Sequence, residues 1–102
     1  MIIAIFRSRV AKEHAAEFKK RYAEMSALVE AIPGYGSHES FSSANGENVL
    51  IVEFLTREAF ESWDTHPEHK KAKMLGKDYI FDSFDGKVGE VFERHTKPEV
   101  RV

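Results

Sequence analysis

The segment from Asn48 to Thr56 limits the possible folds most strongly, because both faces of the strand that it would form are apolar. Side chains of a β-strand alternate between its two faces. One face of this segment carries Val49, Ile51 and Leu55, and the other face carries Leu50, Val52 and Phe54. The segment from Ile2 to Val10 is a second predicted strand, in which Ile3 and Ile5 oppose Ile2, Ala4 and Phe6. Both strands therefore need a covering layer on each side.

A long helix is predicted between these two strands, from Lys12 to Ala31. Its apolar side chains recur at alternating spacings of three and four residues, which places them on one stripe of an amphipathic helix. The stripe consists of Ala15, Phe18, Tyr22, Met25, Val29 and Ile32. Pro33 and Gly34 end the helix, and a weaker strand pattern follows from Tyr35 to Ser43.

The remaining elements complete a recognisable order. Asn45 and Gly46 favour a two-residue hairpin turn, because both residues tolerate positive φ. After two short helices, the last strand is predicted from Val88 to His95. The order βαββαβ indicates an α+β, ferredoxin-like fold with a four-stranded antiparallel sheet and its helices on one face. At 102 residues, the chain is expected to form a single domain over residues 1–102.

The bare face of this sheet has a consequence for assembly. Helices on one face leave the apolar side chains of the other face uncovered. A second copy of the sheet would cover them, so the sequence predicts a homodimer in which two sheets form a dimeric α+β barrel.

Composition and charge exclude several classes of function. The 15 basic and 17 acidic residues are intermixed and give a net charge of −2, without a basic stripe for nucleic acid. Apolar runs are too short to span a bilayer, and the N-terminus lacks the features of a signal peptide, so a cytoplasmic protein without a membrane role is expected. The absence of cysteine excludes disulfides and thiolate chemistry.

The segment from Phe60 to Phe81, FESWDTHPEHKKAKMLGKDYIF, offers the clearest candidates for chemistry. It places Trp63, the only tryptophan, close to two histidines and to Pro67. Proline suits the first turn of a helix, so His66 and His69 are expected to flank a helix start. Gly76 is interpreted as the left-handed residue that ends this helix.

The order of these pieces resembles the antibiotic biosynthesis monooxygenase family of small dimeric α+β barrel proteins. The resemblance covers almost the whole chain: IIAIFRSRV, the long helix, Pro33-Gly34-Tyr35, the segment NVLIVEFLTREAFESW, and the Trp followed by His-Pro-Glu-His and a helix. The family is functionally mixed. It includes quinone-forming monooxygenases of polyketide pathways, haem-degrading enzymes and many members without a known substrate.

The resemblance gives Trp63 and His69 candidate catalytic roles. It implies that Trp63 is an aromatic wall or reactive contact of a pocket between helices and sheet, although a tryptophan can equally fill a small core. Relatives that oxidise aromatics tend to carry a hydroxyl-bearing aromatic near the position of His69. An imidazole there could accept a proton from a phenolic substrate near neutral pH, or it could simply face solvent at a helix start.

Three further residues are candidates for substrate binding. Phe6 would share the apolar wall with Trp63, and His38 could project from the second strand into a cavity. His66 precedes Pro67 and is also explained as a residue of the helix start. No metal site is expected, because Pro67 separates His66 from His69 and no carboxylate or cysteine cluster completes a ligand set.

A haem cofactor is not expected, although the resemblance raises the question. Haem-degrading relatives carry an asparagine on the first strand and a haem-ligating histidine about one helix length beyond the Trp. Phe6 and Lys73 stand at the matching places, and neither phenylalanine nor a charged lysine suits those roles.

Two classes of function remain. The first, which the resemblance favours, is a cofactor-independent monooxygenase that oxidises a phenolic, hydroquinone or polyketide-like small molecule with O₂, with His69 as proton acceptor. The second is a non-catalytic dimeric module that binds a small molecule in the same cavity or serves an accessory role. Convergence of polar groups in the cavity would distinguish the two classes.

Overall fold

The computed structural model describes residues 1–99, and its elements follow the predicted βαββαβ order. The strands are β1 (Ile2–Val10), β2 (Tyr35–Ser42), β3 (Asn48–Phe54) and β4 (Phe81–Glu90). The helices are α1 (Ala15–Glu30), α2 (Arg57–Asp64) and α3 (Pro67–Leu75). A 3₁₀ turn, Lys12–His14, precedes α1, and a π-helical turn, Gly76–Ile80, follows α3. Within residues 1–99, no helix is both long enough and apolar enough to cross a membrane.

The four strands form one antiparallel sheet in the order β2-β3-β1-β4, the ferredoxin-like arrangement that the sequence predicts. Strand register lines up three rows of side chains on the face that carries the helices. The rows are His38, Val52, Ala4 and Val88; then Ser40, Leu50, Phe6 and Gly86; then Ser42, Asn48, Ser8 and Phe84. These rows form the surface on which the candidate site is built.

The hydrophobic core lies between this face and the helices. It consists of Ile2, Val29, Val52, Phe54, Ala59 and Trp63, and Phe54 is only 1% exposed. On the opposite face, Ile5 pairs with Ile51, and both side chains are only half-buried. Phe41, at an odd-numbered position of β2, is 50% exposed. The predicted two-sided apolarity is therefore present, and the helix-free face stays partly open in the protomer.

The last strand is the clearest correction to the sequence prediction. It was expected from Val88 to His95, but β4 runs from Phe81 to Glu90. Its side chains from Asp82 onward are exposed, and Gly86 stands between the apolar residues Phe84 and Val88, so the apolar alternation that marks a half-buried strand is weak. Backbone pairing with β1 defines this strand instead.

Gly76 also differs from its interpretation as a left-handed helix end. Its φ is −62°, in the right-handed region, and the chain continues from α3 into the π-helical turn. The lack of a side chain matters for another reason, since a Cβ on Gly76 would lie 2.5 Å from Cε2 of Phe81. The glycine allows the Phe81 ring to approach the backbone closely.

The hairpin between β2 and β3 is wider than the predicted two-residue turn. Gly46 has a φ of +86°, but no non-glycine residue within residues 1–99 has a positive φ, so Asn45 does not adopt the expected conformation. The Ser43 N–H instead donates to the Glu47 carbonyl at 2.8 Å, which leaves a three-residue loop with a glycine in its last position.

A β-bulge near the start of β2 changes which side chains face the helices. Tyr35 pairs with Phe54 and Ser37 pairs with Glu53, so Gly36 is an extra residue in the ladder. A Cβ on Gly36 would lie 2.8 Å from the Glu53 carbonyl oxygen, which explains the glycine. Because of the bulge, Tyr35 and His38 share the helix-facing side of the sheet, although simple alternation would separate them.

Candidate functional site

A cavity of about 640 Å³ lies between the helices and the three rows of the sheet. All twelve residues of those rows line it. The opposite wall is formed chiefly by Phe18, Tyr22, Met25, Val29, Phe60, Trp63, His69, Ala72 and Ile80. This volume and the mainly apolar lining are typical of a pocket for a small organic molecule.

Trp63 forms part of the wall contributed by α2. Thr56 caps the N-terminus of this helix, and its Oγ1 accepts a hydrogen bond of 3.1 Å from the Ala59 N–H. The Trp63 side chain is 7% exposed and belongs to the hydrophobic core. Among the described residues, every buried side-chain nitrogen or oxygen has a hydrogen-bond partner. The Trp63 indole N–H makes no hydrogen bond within them, so it must be accessible. Trp63 is therefore both a core residue and a cavity-lining residue.

His69 is held against Trp63 in two ways. The two rings stack with their centroids 4.3 Å apart and their planes 16° from parallel. In addition, Nδ1 of His69 lies 3.0 Å from the Trp63 carbonyl oxygen, which also accepts the His66 backbone N–H at 3.1 Å near the end of α2. A carbonyl only accepts hydrogen bonds, so Nδ1 carries the hydrogen. In the neutral imidazole, Nε2 is then the basic nitrogen.

The surroundings of His69 favour this neutral form. Burial lowers the pKa of His69 below its ordinary value of 6.5, and this effect outweighs the opposing influence of the Trp63 carbonyl. Nε2 makes no hydrogen bond within the described residues. Because every buried side-chain nitrogen among them has a hydrogen-bond partner, Nε2 must be accessible. The side chain lines the cavity. His69 thus presents an accessible proton acceptor near neutral pH.

His66 has a different local role. Its Nδ1 accepts a hydrogen bond of 3.2 Å from the Glu68 N–H, which caps the N-terminus of α3 immediately before Pro67. Its ring lies 5.6 Å from the Trp63 ring, but His66 is not among the residues that line the cavity. A role in substrate binding stays a prediction for this residue.

The two positions that argue against haem lie on the cavity wall. Phe6 packs against Phe81 and Phe84, with ring centroids 5.3 and 5.7 Å away. Lys73 places Nζ 2.7 Å from Oδ1 of Asp64. An aromatic ring and an ion-paired ammonium group thus occupy the positions that would correspond to the asparagine and the haem-ligating histidine. The absence of haem binding stays a prediction. Within residues 1–99, no group of three or more potential metal-ligating side chains is assembled.

His38 belongs to a polar cluster that the sequence did not reveal. The hydroxyl oxygen of Tyr35 lies 2.6 Å from Nδ1 of His38, and the Tyr22 ring lies 6.3 Å from the His38 ring. Strand alternation predicts opposite faces for Tyr35 and His38, and the bulge reverses that prediction. Gly36 was the one sequence signal of a bulge, because an isolated glycine in a strand often marks one.

Comparisons with known proteins agree with this architecture. The family model for antibiotic biosynthesis monooxygenases matches residues 1–74. The uncharacterised protein YqjZ of Bacillus subtilis is 26% identical over 88 residues, which cover 86% of this chain and 77% of YqjZ.

Two solved structures illustrate the shared fold. Rv0793 from Mycobacterium tuberculosis superposes with a TM-score of 0.80 at 17% identity, covering 93% of this chain and 98% of Rv0793. A point mutant of SnoaB, a cofactor-independent oxygenase from Streptomyces nogalater, gives a TM-score of 0.79 at 19% identity, covering 96% and 97% of the two chains. At these identities the likeness shows the fold alone.

Proposed function

Because the chain belongs to the antibiotic biosynthesis monooxygenase family, we propose that it is a cofactor-independent monooxygenase. Its substrate would be a phenolic, hydroquinone or polyketide-like aromatic molecule, and O₂ would be the oxidant. The observation that carries this proposal is the accessible Nε2 of His69 in a cavity with apolar walls. A base with a fixed tautomer next to an aromatic wall suits proton removal from such a molecule.

The first step is proton transfer. His69 Nε2 takes a proton from an acidic O–H or from a C–H group activated by a neighbouring carbonyl. Burial that lowers the pKa of His69 keeps the imidazole neutral and ready at pH 7. The product is an electron-rich anion held against Trp63 and Phe6, with little water around it. An apolar environment of this kind favours electron transfer from the anion over its solvation.

The second step uses O₂ without a bound redox group. The anion gives one electron to O₂, and the resulting substrate radical and superoxide combine to form a C–O bond. The peroxide then takes the proton back from His69. Cleavage of the O–O bond, with loss of the remaining C–H proton, leaves a carbonyl on the ring and releases the second oxygen atom as water. The substrate supplies all the electrons.

We further propose that the working form is a homodimer. The partly open sheet face that includes Ile5, Ile51 and Phe41 supports this, because exposed apolar side chains gain stability when a second copy covers them. Two sheets packed in this way would form the dimeric barrel. The cavity lies on the other face of each sheet, so each protomer would carry its own site.

Oxygen consumption with anthrone tests the proposed activity. Anthrone carries a CH₂ group next to its rings, and its oxidation to anthraquinone should use one molecule of O₂ and release one molecule of water. The enzyme-dependent rate is measured after subtraction of the buffer-catalysed rate, which the heat-inactivated protein should reproduce. A rate equal to the uncatalysed rate for anthrone and for a hydroquinone series would contradict the monooxygenase proposal.

The second candidate is a binding or accessory module. The same cavity favours it, because about 640 Å³ of mostly apolar space can hold a small aromatic molecule without any reaction. Saturable binding of anthraquinone without consumption of O₂ for any reduced analogue would move this candidate ahead of the monooxygenase.

A further inference from the structure

Two histidines line the cavity from different walls, and their hydrogen bonds are of opposite kinds. His69 projects from α3, and its Nδ1 faces the Trp63 carbonyl, which is a pure acceptor. His38 projects from β2, and its Nδ1 faces the Tyr35 hydroxyl at 2.6 Å. A hydroxyl can donate as well as accept, so the second pair requires a further step of reasoning.

Hydrogen-bond satisfaction decides the direction of the Tyr35 contact. The His38 backbone N–H also acts as a donor toward the Tyr35 hydroxyl oxygen. Because that contact uses the oxygen as an acceptor, the hydroxyl hydrogen is left to donate to His38 Nδ1. Burial also raises the pKa of Tyr35, which keeps that hydrogen in place. His38 Nδ1 is then the acceptor, and the hydrogen of the neutral ring lies on Nε2. This atom is accessible and makes no hydrogen bond within residues 1–99.

We infer that His38 is a substrate-binding residue that donates a hydrogen bond from Nε2 to an acceptor oxygen of the substrate, and that Tyr35 is the positioning residue that fixes this tautomer. The cavity then offers a proton acceptor on the helix wall and a proton donor on the sheet wall. A substrate that satisfies both carries an acidic O–H or C–H at one place and a carbonyl oxygen at another. The match between this substrate and the oxidation reaction rests on the proposed function, whereas the two tautomers and the preference for a carbonyl-bearing ligand do not.

The distribution of polar residues around the cavity indicates how such a substrate would lie in it. Along the β2 side, the helix-facing residues are His38, Ser40 and Ser42, followed by Asn48 of β3. Along the β4 side they are Phe84, Gly86 and Val88. An aromatic molecule with an oxygen-bearing edge would therefore place that edge toward β2, where His38 can donate to it.

Nitrogen-15 NMR of the imidazole rings tests the tautomers directly, without any substrate. In wild-type protein near neutral pH, the neutral ring of His69 should show protonated Nδ1, and that of His38 should show protonated Nε2. Tyr35→Phe should convert the His38 signals toward a mixture of tautomers and leave those of His69 unchanged. Tyr79→Phe is the matched control, since it removes a tyrosine hydroxyl that binds Glu17 rather than His38. A wild-type His38 ring protonated on Nδ1 would overturn the inference.

Two probes that differ in the presence of ring carbonyls test the donor role. 2-Hydroxyanthraquinone carries two carbonyls and a hydroxyl, whereas 2-hydroxyanthracene carries the hydroxyl alone. His38→Ala should weaken binding of the first probe about tenfold, the magnitude of one hydrogen bond, and change binding of the second less than twofold. His38→Gln should restore most of the loss, because its amide N–H reaches a place close to Nε2.

The outcomes separate this inference from the proposed activity. Equal effects of His38→Ala on both probes, or no binding of either probe to the wild type, would overturn the donor role of His38. Circular dichroism and the unfolding midpoint confirm that each variant is folded. Selective loss of the quinone probe would support the donor role even if the wild type oxidised no anthrone, in which case only the monooxygenase proposal would fall.

Discussion

His69 stacks on the Trp63 ring at a centroid distance of 4.3 Å and donates Nδ1–H to the carbonyl of that same tryptophan at 3.0 Å. The tryptophan thus fixes both the position and the tautomer of the histidine. Because one residue supplies both contacts, the orientation of the proposed base depends directly on how α2 and α3 pack together.

Replacing His69 distinguishes catalysis from helix capping. His69→Asn keeps a side-chain N–H near the place of Nδ1 but removes the basic Nε2. If His69 is the proton acceptor, kcat for anthrone should fall about 100-fold, with little change in KM. His69→Ala should show the same loss of kcat and a lower stability, because the Trp63 carbonyl loses a partner. A His69→Asn enzyme with the wild-type rate would show that His69 only caps α2.

Trp63→Phe should act mainly on binding. The variant keeps an aromatic wall but makes it smaller and removes the accessible indole N–H. We expect KM for anthrone to rise several-fold while kcat changes less. Since Trp63 is also a core residue, the urea unfolding midpoint should fall, at a cost of about 1–3 kcal/mol for a smaller aromatic ring in the same site. A large fall in kcat with unchanged KM would point to a reactive contact instead of a wall.

The pH dependence of kcat/KM should reflect the buried position of His69. Only its neutral form accepts a proton, and burial lowers its pKa below 6.5. The acidic limb of the profile should therefore lie below pH 6.5, and activity should rise with pH through that limb. A limb centred above pH 6.5 would contradict this assignment.

The same lowered pKa affects stability. The unfolded chain binds a proton at His69 near pH 6.5, whereas the folded chain binds it only at lower pH. The stabilising difference is present above pH 6.5 and is lost as pH falls through the folded pKa. Urea titrations at several pH values should show this decrease, and His69→Asn should show less of it.

Ile51→Asp tests the proposed homodimer. Ile51 lies opposite Ile5 on the helix-free face, and a carboxylate placed there would be buried without a partner when a second copy covers it. Light scattering at micromolar concentration should give the mass of a dimer for the wild type and of a monomer, or an unfolded chain, for Ile51→Asp. Met74→Asp is the control, since Met74 is 66% exposed on α3 and should leave the dimer intact. A monomeric wild type would exclude the barrel.

Gly76→Ala should destabilise the protein at the edge of the cavity. Its Cβ would lie 2.5 Å from Cε2 of Phe81, and the Phe81 ring itself packs against Phe6 at 5.3 Å. We expect a loss of about 1–3 kcal/mol in the free energy of unfolding, as for other overpacked sites. Gly89→Ala on the same strand as Phe81 adds a Cβ with no heavy atom within 4 Å, and it should change stability by less than about 0.5 kcal/mol. Equal effects of both substitutions would show that the ring moves aside freely.

The sequence was informative wherever side-chain pattern determines structure. The two-sided apolarity around Ile51, the stripe through Val29 and the helix start at Pro67 are all found in the fold. The prediction misplaces strand β4, because its exposed side chains carry only a weak alternation and backbone pairing with β1 defines it.

The candidate site was predictable only in part, for a related reason. Trp63 and His69 were expected to lie near each other, but the hydrogen bond of His69 goes to a backbone carbonyl, and side-chain pattern contains no information about such a partner. The Tyr35–His38 pair was hidden because residues three apart in a plain strand lie on opposite faces, whereas a single extra residue in β2 places these two on the same face.

The bulge at Gly36 also makes β2 tolerant of a one-residue deletion. Without Gly36, plain alternation would still place Tyr35 opposite Phe54 and Ser37 opposite Glu53. His38, Ser40 and Ser42 would keep their places along the cavity. A lineage could therefore lose this codon in a single genetic step and retain the hydrogen-bonding pocket edge, whereas loss of one residue from a strand without a bulge exchanges the faces of the residues beyond it.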